Sequence, residues 1–376
     1  MEQELRISQR AKQYPASGIR KMFDLAAQYP EAIKLTVGEP NFETPQYIKD
    51  AAKRALDEGQ THYAPNAGTT ELREAVAAKY RKQYWEGYTK DHVIITVGAM
   101  EGLFLAMMTL LDPGDEILVP DPCFPNYYGQ ASSIGARAVP VPTYEEYDYR
   151  IQAADIEKAV TPRTRAILLN SPCNPTGAVL TKEDILAIAK VAKTHDLWVL
   201  TDEPNDAILY DCIQPYSMAQ VPEMQDRVMV LNSFSKSYAM TGWRLGYCMA
   251  DAKLMDRIQV FHQYCVTSVP SFVQRACVTA LETDTSDVVE IFRRRRDYVY
   301  QRLVDMGLDV EKPEGAFYMF VDIRKFGMDS NTFCTRMLKE GLVGVIPGIH
   351  FGTEGFMRLS YCYSDADLKE GLDRIE

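Results

Sequence analysis

Between about residues 92 and 250, short β-rich apolar runs alternate with longer segments whose apolar residues recur at helical spacing. No other feature narrows the possible folds as much. Val93 to Val97 is followed by a helical GAMEGLFLAMMTLL, and DPGD then turns the chain into Glu116 to Val119. Arg165 to Leu169 leads through a turn to the helical KEDILAIAKVAKTH and on to Leu197 to Thr201, with Arg227 to Leu231 next. These runs are apolar throughout, which suits strands covered on both faces. The pattern predicts an α/β fold with a mostly parallel sheet flanked by helices. Ligand sites in such sheets lie beyond the carboxyl ends of the strands, so Gly98, Asn170, Asp202 and Ser233 are expected on one rim.

After about residue 285 the pattern changes to a long charged helix, a glycine-led strand GAFYMFVDI, a helix TFCTRMLKEG and a final strand MRLSY. This reads as a smaller α+β domain. The expected division is a large domain over 36–284 and a small one made of 1–35 with 285–376, with no Gly/Ser-rich or Pro-rich linker between them. The run Arg293 to Arg296 in the long helix reads as a solvated helix face or an intersubunit contact. Nucleic acid and anionic membranes are not expected partners, because both need local positive charge and the chain carries a formal net charge of -11.

The eight cysteines are irregularly spaced, several within apolar stretches such as GYCMA, which suits reduced core residues in a cytoplasmic protein. The five histidines are dispersed, with no HExxH or Cys/His cluster, so no metal site is expected. His195 and His262 read as structural helix residues. The N-terminus is charged without an apolar signal core, and no apolar run reaches transmembrane length, so a cytoplasmic location is expected.

Chemistry concentrates in NSFSKSYAMTGWRLG, Asn232 to Gly246. Lys236 directly follows a buried strand and is flanked by Ser233, Ser235 and Ser237, with Gly242 and Arg244 further on. Desolvation and neighbouring charge lower a lysine's pKa and free its amine to form a Schiff base. The hydroxyls and Arg244 suit a phosphate, the arginine by a two-pronged contact. A solvated loop lysine beside an unrelated arginine is the bland alternative. The turn Gly98-Ala99-Met100, between strand and helix, offers backbone N–H groups at a helix N-terminus, a ready anion site.

The lysine segment resembles the pyridoxal-phosphate lysine motif of the fold-type I aminotransferases, the aspartate/aromatic aminotransferase superfamily. The likeness takes in nearly the whole chain: VGEPNFETP from Val37, THYAPNAGTTELREAV from Thr61, DPCFPNY from Asp121, NSPCNPTG from Asn170, and the closing PGIHFG and MRLSY. It implies a pyridoxal 5′-phosphate enzyme that moves an amino group between an L-amino acid and a 2-oxo acid by a ping-pong cycle. It also implies a homodimer with active sites at the interface.

By the same resemblance, Lys236 holds the cofactor as a Schiff base and moves the substrate α-proton. Asp202 pairs with the pyridine nitrogen; an acid at the end of a buried strand is costly unless paired, although the residues alone equally suit a turn aspartate before Pro204. Asn174 hydrogen-bonds the ring oxygen O3′ and borders the substrate, and Phe124 stacks on the ring. Gly98, Ala99, Met100, Ser233, Ser235 and Arg244 form a phosphate cup. Tyr63 reaches the phosphate of the neighbouring subunit. Arg358, in MRLSY, holds the substrate α-carboxylate in its planar fork, and Gly38 lies beside the substrate on a loop able to fold over it. Met100 stands where one subgroup of aspartate enzymes has a lysine for the distal carboxylate, which argues against strict aspartate specificity and leaves aromatic or neutral amino acids open.

The resemblance breaks at Asn205. The family pattern Asp-Glu-x-Tyr, whose tyrosine donates to O3′, reads here Asp202-Glu203-Pro204-Asn205. An amide is a weaker donor with shorter reach, so weaker cofactor retention or a changed proton affinity of the bound cofactor is expected, with Asn174 taking more of the contact or Tyr210 compensating. Two other functions stay open: a lyase, decarboxylase or synthase on the same scaffold, and, more remotely, a cofactor-sensing regulatory module. The latter usually has a DNA-binding segment ahead of such a domain, whereas this sequence opens directly on it.

Overall fold

Apolar runs too short for helices pair edge to edge, and in the computed structural model, which describes residues 6–8, 12 and 18–376, they form one seven-stranded sheet. β1 (Ile33–Lys34) stands apart. The sheet consists of β2 (Val93–Thr96), β3 (Glu116–Asp121), β4 (Arg137–Pro142), β5 (Thr164–Asn170), β6 (Trp198–Asp202), β7 (Val228–Ser233) and β8 (Gly246–Met249). Their order is β2-β8-β7-β6-β5-β3-β4. β8 runs antiparallel to both neighbours, and the pairs from β7 to β4 are parallel. The mostly parallel sheet is as expected, but β4 and β8 were not among the expected strands. β4 carries Pro140 and Pro142 and is largely exposed, as an edge strand can be. β8 has only four residues and directly follows the lysine segment.

Alternate side chains of each strand enter different cores. Ile95, Leu118, Ile167, Val199 and Val230 pack on one face, and Ile94, Ile117, Leu168, Leu200 and Met229 on the other. Each fully buried aliphatic side chain contributes roughly 1.5–3 kcal/mol, which is why the middles of these strands carry almost no polar residue, the polar ones standing at their ends. Helix Lys182–Thr194 begins with a capping box, in which Thr181 Oγ1 accepts from Asp184 N–H at 3.1 Å while Asp184 accepts from Thr181 N–H at 2.9 Å. Helix Gly98–Leu110 has no side-chain cap; Glu101 accepts instead from Val97 N–H at 2.6 Å.

A second, antiparallel sheet has the order β11 (Ile346–Pro347), β12 (Phe356–Ser360), β9 (Tyr318–Asp322), and β10 (Val343–Gly344) pairs in parallel with β1. A third core joins Ile19, Met22 and Leu35 to Phe292, Phe317 and Val321.

The arginine run corrects an expectation. Arg295 and Arg296 are 8% and 1% exposed, not solvated. Arg296 donates to both carboxylate oxygens of Asp211 at 2.7 and 3.0 Å and to Pro313 O at 3.1 Å, with its guanidinium 4.6 Å from the centre of the Tyr210 ring. Arg295 donates to Asp365 and Asn41, both at 2.7 Å. Successive helix residues point about 100° apart, so four in a row cannot share one face.

Candidate active site

Asn170 and Asp202 are paired neighbours at the ends of β5 and β6, and Ser233 ends β7. Beyond these ends lies a cavity of about 290 Å³ bordered by Asn174, Asp202, Asn205, Lys236, Arg244 and Arg358. Gly38, Ala99, Met100, Phe124, Ser233 and Ser235 also line it. Of the residues singled out in the sequence, Gly98 does not line the cavity itself but directly precedes Ala99, which does, and Tyr63 lies outside. Tyr63 is 88% exposed and borders a separate depression with His62 and Arg275.

Lys236 enters from the loop after β7, and its Nζ donates to the carbonyl oxygen of Gly38. Burial pulls its ammonium pKa down to about 8, so an appreciable share of neutral amine is present near neutral pH. Asp202 is 7% exposed and accepts from the Tyr127 hydroxyl at 2.6 Å, while its backbone oxygen accepts from Asn170 Nδ2 at 2.8 Å. Burial pushes its carboxyl up to about 6, opposed by the Tyr127 hydrogen bond, and no cation among the described residues offsets the burial.

Arg358, on β12, is 4% exposed. Its Nη1 donates to Asn174 Oδ1 at 2.9 Å and its Nη2 to Thr36 O, while Nε has no partner. The guanidinium lies 4.6 Å from the Tyr318 ring centre and 4.7 Å from that of Phe351. Burial lowers its pKa. It pairs with no carboxylate among the described residues, so it is a buried cation with a vacant donor.

The rim nearest Ser233 is rich in donors. The Ser233 hydroxyl donates to Ser235 Oγ at 2.8 Å, and Arg244 Nη1 donates to Thr241 O at 2.9 Å. Gly98 has φ +71°, and a Cβ there would stand 2.6 Å from Arg244 Nη2. The missing side chain is what lets the guanidinium approach the uncapped helix start.

Asn205 is 3% exposed. Its Nδ2 reaches Pro172 O at 3.4 Å and its Oδ1 has no partner. A donation from this amide into the cavity therefore requires that bond to be released. Compensation by Tyr210 is overturned: its hydroxyl donates to Ala316 O and accepts from Tyr361 at 3.4 Å, and its ring belongs to the third core, away from the cavity.

The donor set fits pyridoxal phosphate. A buried acid without a cation suits a protonated ring nitrogen, the hydroxyls with Arg244 and the helix start suit a phosphate, and Phe124 offers a flat face. Tyr127, Tyr318, Ile19 and Phe23 line the cavity without having been anticipated. Tyr127 stood in the quoted DPCFPNY, three residues after Phe124, and its ring meets Phe124 edge-on at 5.8 Å. Ile19 and Phe23 share the spacing of one helix face, but nothing local indicates where that face docks. Among the described residues no group of three or more His, Cys, Asp or Glu is placed to hold a metal, and no helix is long and apolar enough to cross a membrane.

Comparison with known proteins extends these observations. The sequence profile described as aminotransferase class I and II matches residues 30–375. An aromatic-amino-acid aminotransferase 2 from Thermococcus litoralis is 43% identical over 98% of this chain and 97% of its own length. An aspartate aminotransferase from Pyrococcus abyssi is also 43% identical, over 96% and 95% of the two chains. The solved structure of Thermus thermophilus aspartate aminotransferase with maleate superposes with a TM-score of 0.93 at 35% identity, covering 98% of each chain.

Proposed function

The chain belongs to the class I and II aminotransferase family and is an aminotransferase, and from that premise we propose that it works with pyridoxal 5′-phosphate in the cavity around Lys236. When bound, that group supplies an aldehyde carbon that captures amines and a ring that withdraws electrons from the substrate Cα. Lys236 is the residue that would hold it covalently; once freed, its Nζ would take the proton from the amino acid's Cα and deliver it to the carbon that carried the aldehyde. Asp202, steadied by Tyr127 and Asn170, keeps a proton at the ring nitrogen. Ser233, Ser235, Arg244 and the N–H groups at the start of helix Gly98–Leu110 hold the phosphate, and Phe124 covers one ring face. Arg358, through its vacant Nε and an Nη, orients the substrate α-carboxylate. Asn174, whose Oδ1 accepts from Arg358 Nη1, would use its Nδ2 to hold the ring oxygen O3′.

The wall contributed by Ile19, Phe23 and Tyr318 supports an uncharged or aromatic substrate side chain. The aspartate and aromatic names of the two relatives leave both classes within reach of this scaffold. We further take the working form to be a homodimer, with Tyr63 reaching the partner's cavity, and the location to be cytoplasmic, consistent with cysteines that are all free. The observation that carries the reading is a buried acid without a cation facing the same cavity as a lysine whose amine is released by burial.

The test adds pyridoxal phosphate to the purified protein and then presents amino acids with a 2-oxo acid acceptor. A visible absorption band absent from Lys236→Ala, followed by pyridoxamine phosphate and the matching 2-oxo acid, is expected, with phenylalanine turned over faster than aspartate. Pyruvate and ammonia in place of pyridoxamine phosphate would favour a lyase. A preference for aspartate would overturn the side-chain assignment alone.

A further inference from the structure

Asp202 ends β6 and Glu203 follows it directly, and the two acids face opposite ways. Asp202 borders the large cavity, whereas Glu203 and Thr201 border a separate one of about 20 Å³. Glu203 is 4% exposed. Its Oε1 accepts from Thr201 Oγ1 at 2.8 Å and from Ser217 Oγ at 2.5 Å, while its buried Oε2 has no partner. The backbone pins the same residue. Glu203 N–H donates to Leu231 O at 2.8 Å, carrying the β6–β7 pairing one step past Asp202, and Glu203 O accepts from Asp206 N–H at 3.1 Å, closing the turn that contains Asn205.

The small cavity has room for a single water, which needs roughly 10–15 Å³ and a few polar partners. Its wall includes the hydroxyl-bearing Ser171 and Ser217 besides Glu203. The titratable groups facing Glu203 are Lys79, Tyr80, Tyr84 and Tyr88 from the helix Thr70–Gln83 and the segment after it, and Asp206 from its own turn. Lys79 is already committed to Asp206, at 2.9 Å. An ionised Glu203 would therefore be a second buried anion directly beside Asp202 without a cation of its own, which burial strongly disfavours.

We propose that Glu203 is a positioning residue that stays a neutral carboxylic acid up to about neutral pH, its Oε2 donating to one buried water, so that of the two neighbouring acids Asp202 ionises first and is held facing the cofactor cavity. Burial, which pushes the Glu203 carboxyl up to about 7 against its two hydroxyl donors, acts in the same direction. The proposal rests on the assignment of Asp202 to the cofactor ring, and the experiment separates the two.

In the cofactor-loaded enzyme below about pH 6, infrared difference spectra between wild type and Glu203→Gln are expected to show the carbonyl stretch of a neutral carboxylic acid that the variant lacks. Glu203→Gln should retain pyridoxal phosphate with wild-type affinity and the same midpoint in a pH titration of its visible absorption. Glu203→Ala, which strips Thr201 and Ser217 of their acceptor, should bind it about 10-fold more weakly and move that midpoint. If Glu203→Ala does not fold, Ser217→Ala takes its place, with a smaller change in the same direction expected. Absence of the carbonyl band, equal damage from Gln and Ala, or a midpoint and affinity unmoved by Ala (or by Ser217→Ala) each overturn the proposal. If wild type itself forms no absorption band with pyridoxal phosphate, the cofactor assignment fails instead.

Discussion

Replacing Gly98 with alanine adds one methyl group at the point where helix Gly98–Leu110 and Arg244 meet. Two consequences follow from the geometry. At φ +71° the backbone already lies in the left-handed region, where a Cβ adds a strain of about 1–2 kcal/mol. It would also stand 2.6 Å from Arg244 Nη2 and 3.3 Å from Cζ, well inside van der Waals contact. The guanidinium lies at the end of a flexible side chain, so withdrawal costs little in itself; what is lost is its place beside the helix start. A hydrogen bond to a charged group contributes roughly 1.5–3 kcal/mol, so phosphate binding should weaken about 10- to 100-fold. Titration with pyridoxal phosphate and with pyridoxal, which lacks the phosphate, isolates this effect. Gly98→Ala is expected to lose affinity for the first and keep it for the second, with a modest fall in melting temperature of the cofactor-free protein. Equal loss for both ligands would mean general disorder of the cavity, and no loss for either would mean that Arg244 does not serve the phosphate from this position.

Three further outcomes are expected. Because burial raises Asp202 from 3.8 to about 6, the folded protein keeps a proton that the unfolded chain releases; this group's stabilising share is complete below about pH 4 and is lost as pH rises through 6, about 3 kcal/mol in all. A cationic ring opposite Asp202 removes that cost, so pyridoxal phosphate should raise the melting temperature more at about pH 7.5 than at about pH 5, and Asp202→Asn should erase the difference; an equal rise at both pH values in wild type would contradict the pairing. Arg296→Met should cost about 2–3 kcal/mol in urea unfolding, since it removes the bonds to Asp211 and Pro313 O but leaves a half-exposed Asp211 that water can solvate, whereas exposed Arg294→Met should stay within about 0.5 kcal/mol. Arg358→Lys should lower kcat/KM for the amino donor about 10- to 100-fold, mainly through KM, because a point charge cannot reproduce the planar fork; wild-type kinetics would argue against a two-pronged carboxylate contact.

The features legible in the sequence are those that a short segment encodes by itself. Apolar runs bounded by turns marked β2, β3, β5, β6 and β7, because a strand covered on both faces must be apolar throughout; exposed β4 escapes that rule, and β8, as short and as buried as β2, follows the lysine loop with no helix between to set it off. The lysine segment was legible because strand, hydroxyls, Lys236 and Arg244 follow one another within one loop. Likewise Asn170, Asp202 and Ser233 could be set on one rim because strand ends in a parallel sheet lie on the same side.

Tertiary structure alone decided what crosses the chain. Asp202 meets Tyr127 across 75 positions and Arg358 meets Thr36 across 322, contacts that depend on strand order and on the chain returning beside β1. The alternation of a strand requires Asp202 and Glu203 to point apart, but only the packing around β6 sets which of them faces the large cavity and which the small one. The arginine run shows the same limit. Its charge is plain in the sequence, yet a helix distributes four consecutive residues around its circumference, so the docking of that helix determines that Arg295 and Arg296 are buried and paired while Arg294 meets water.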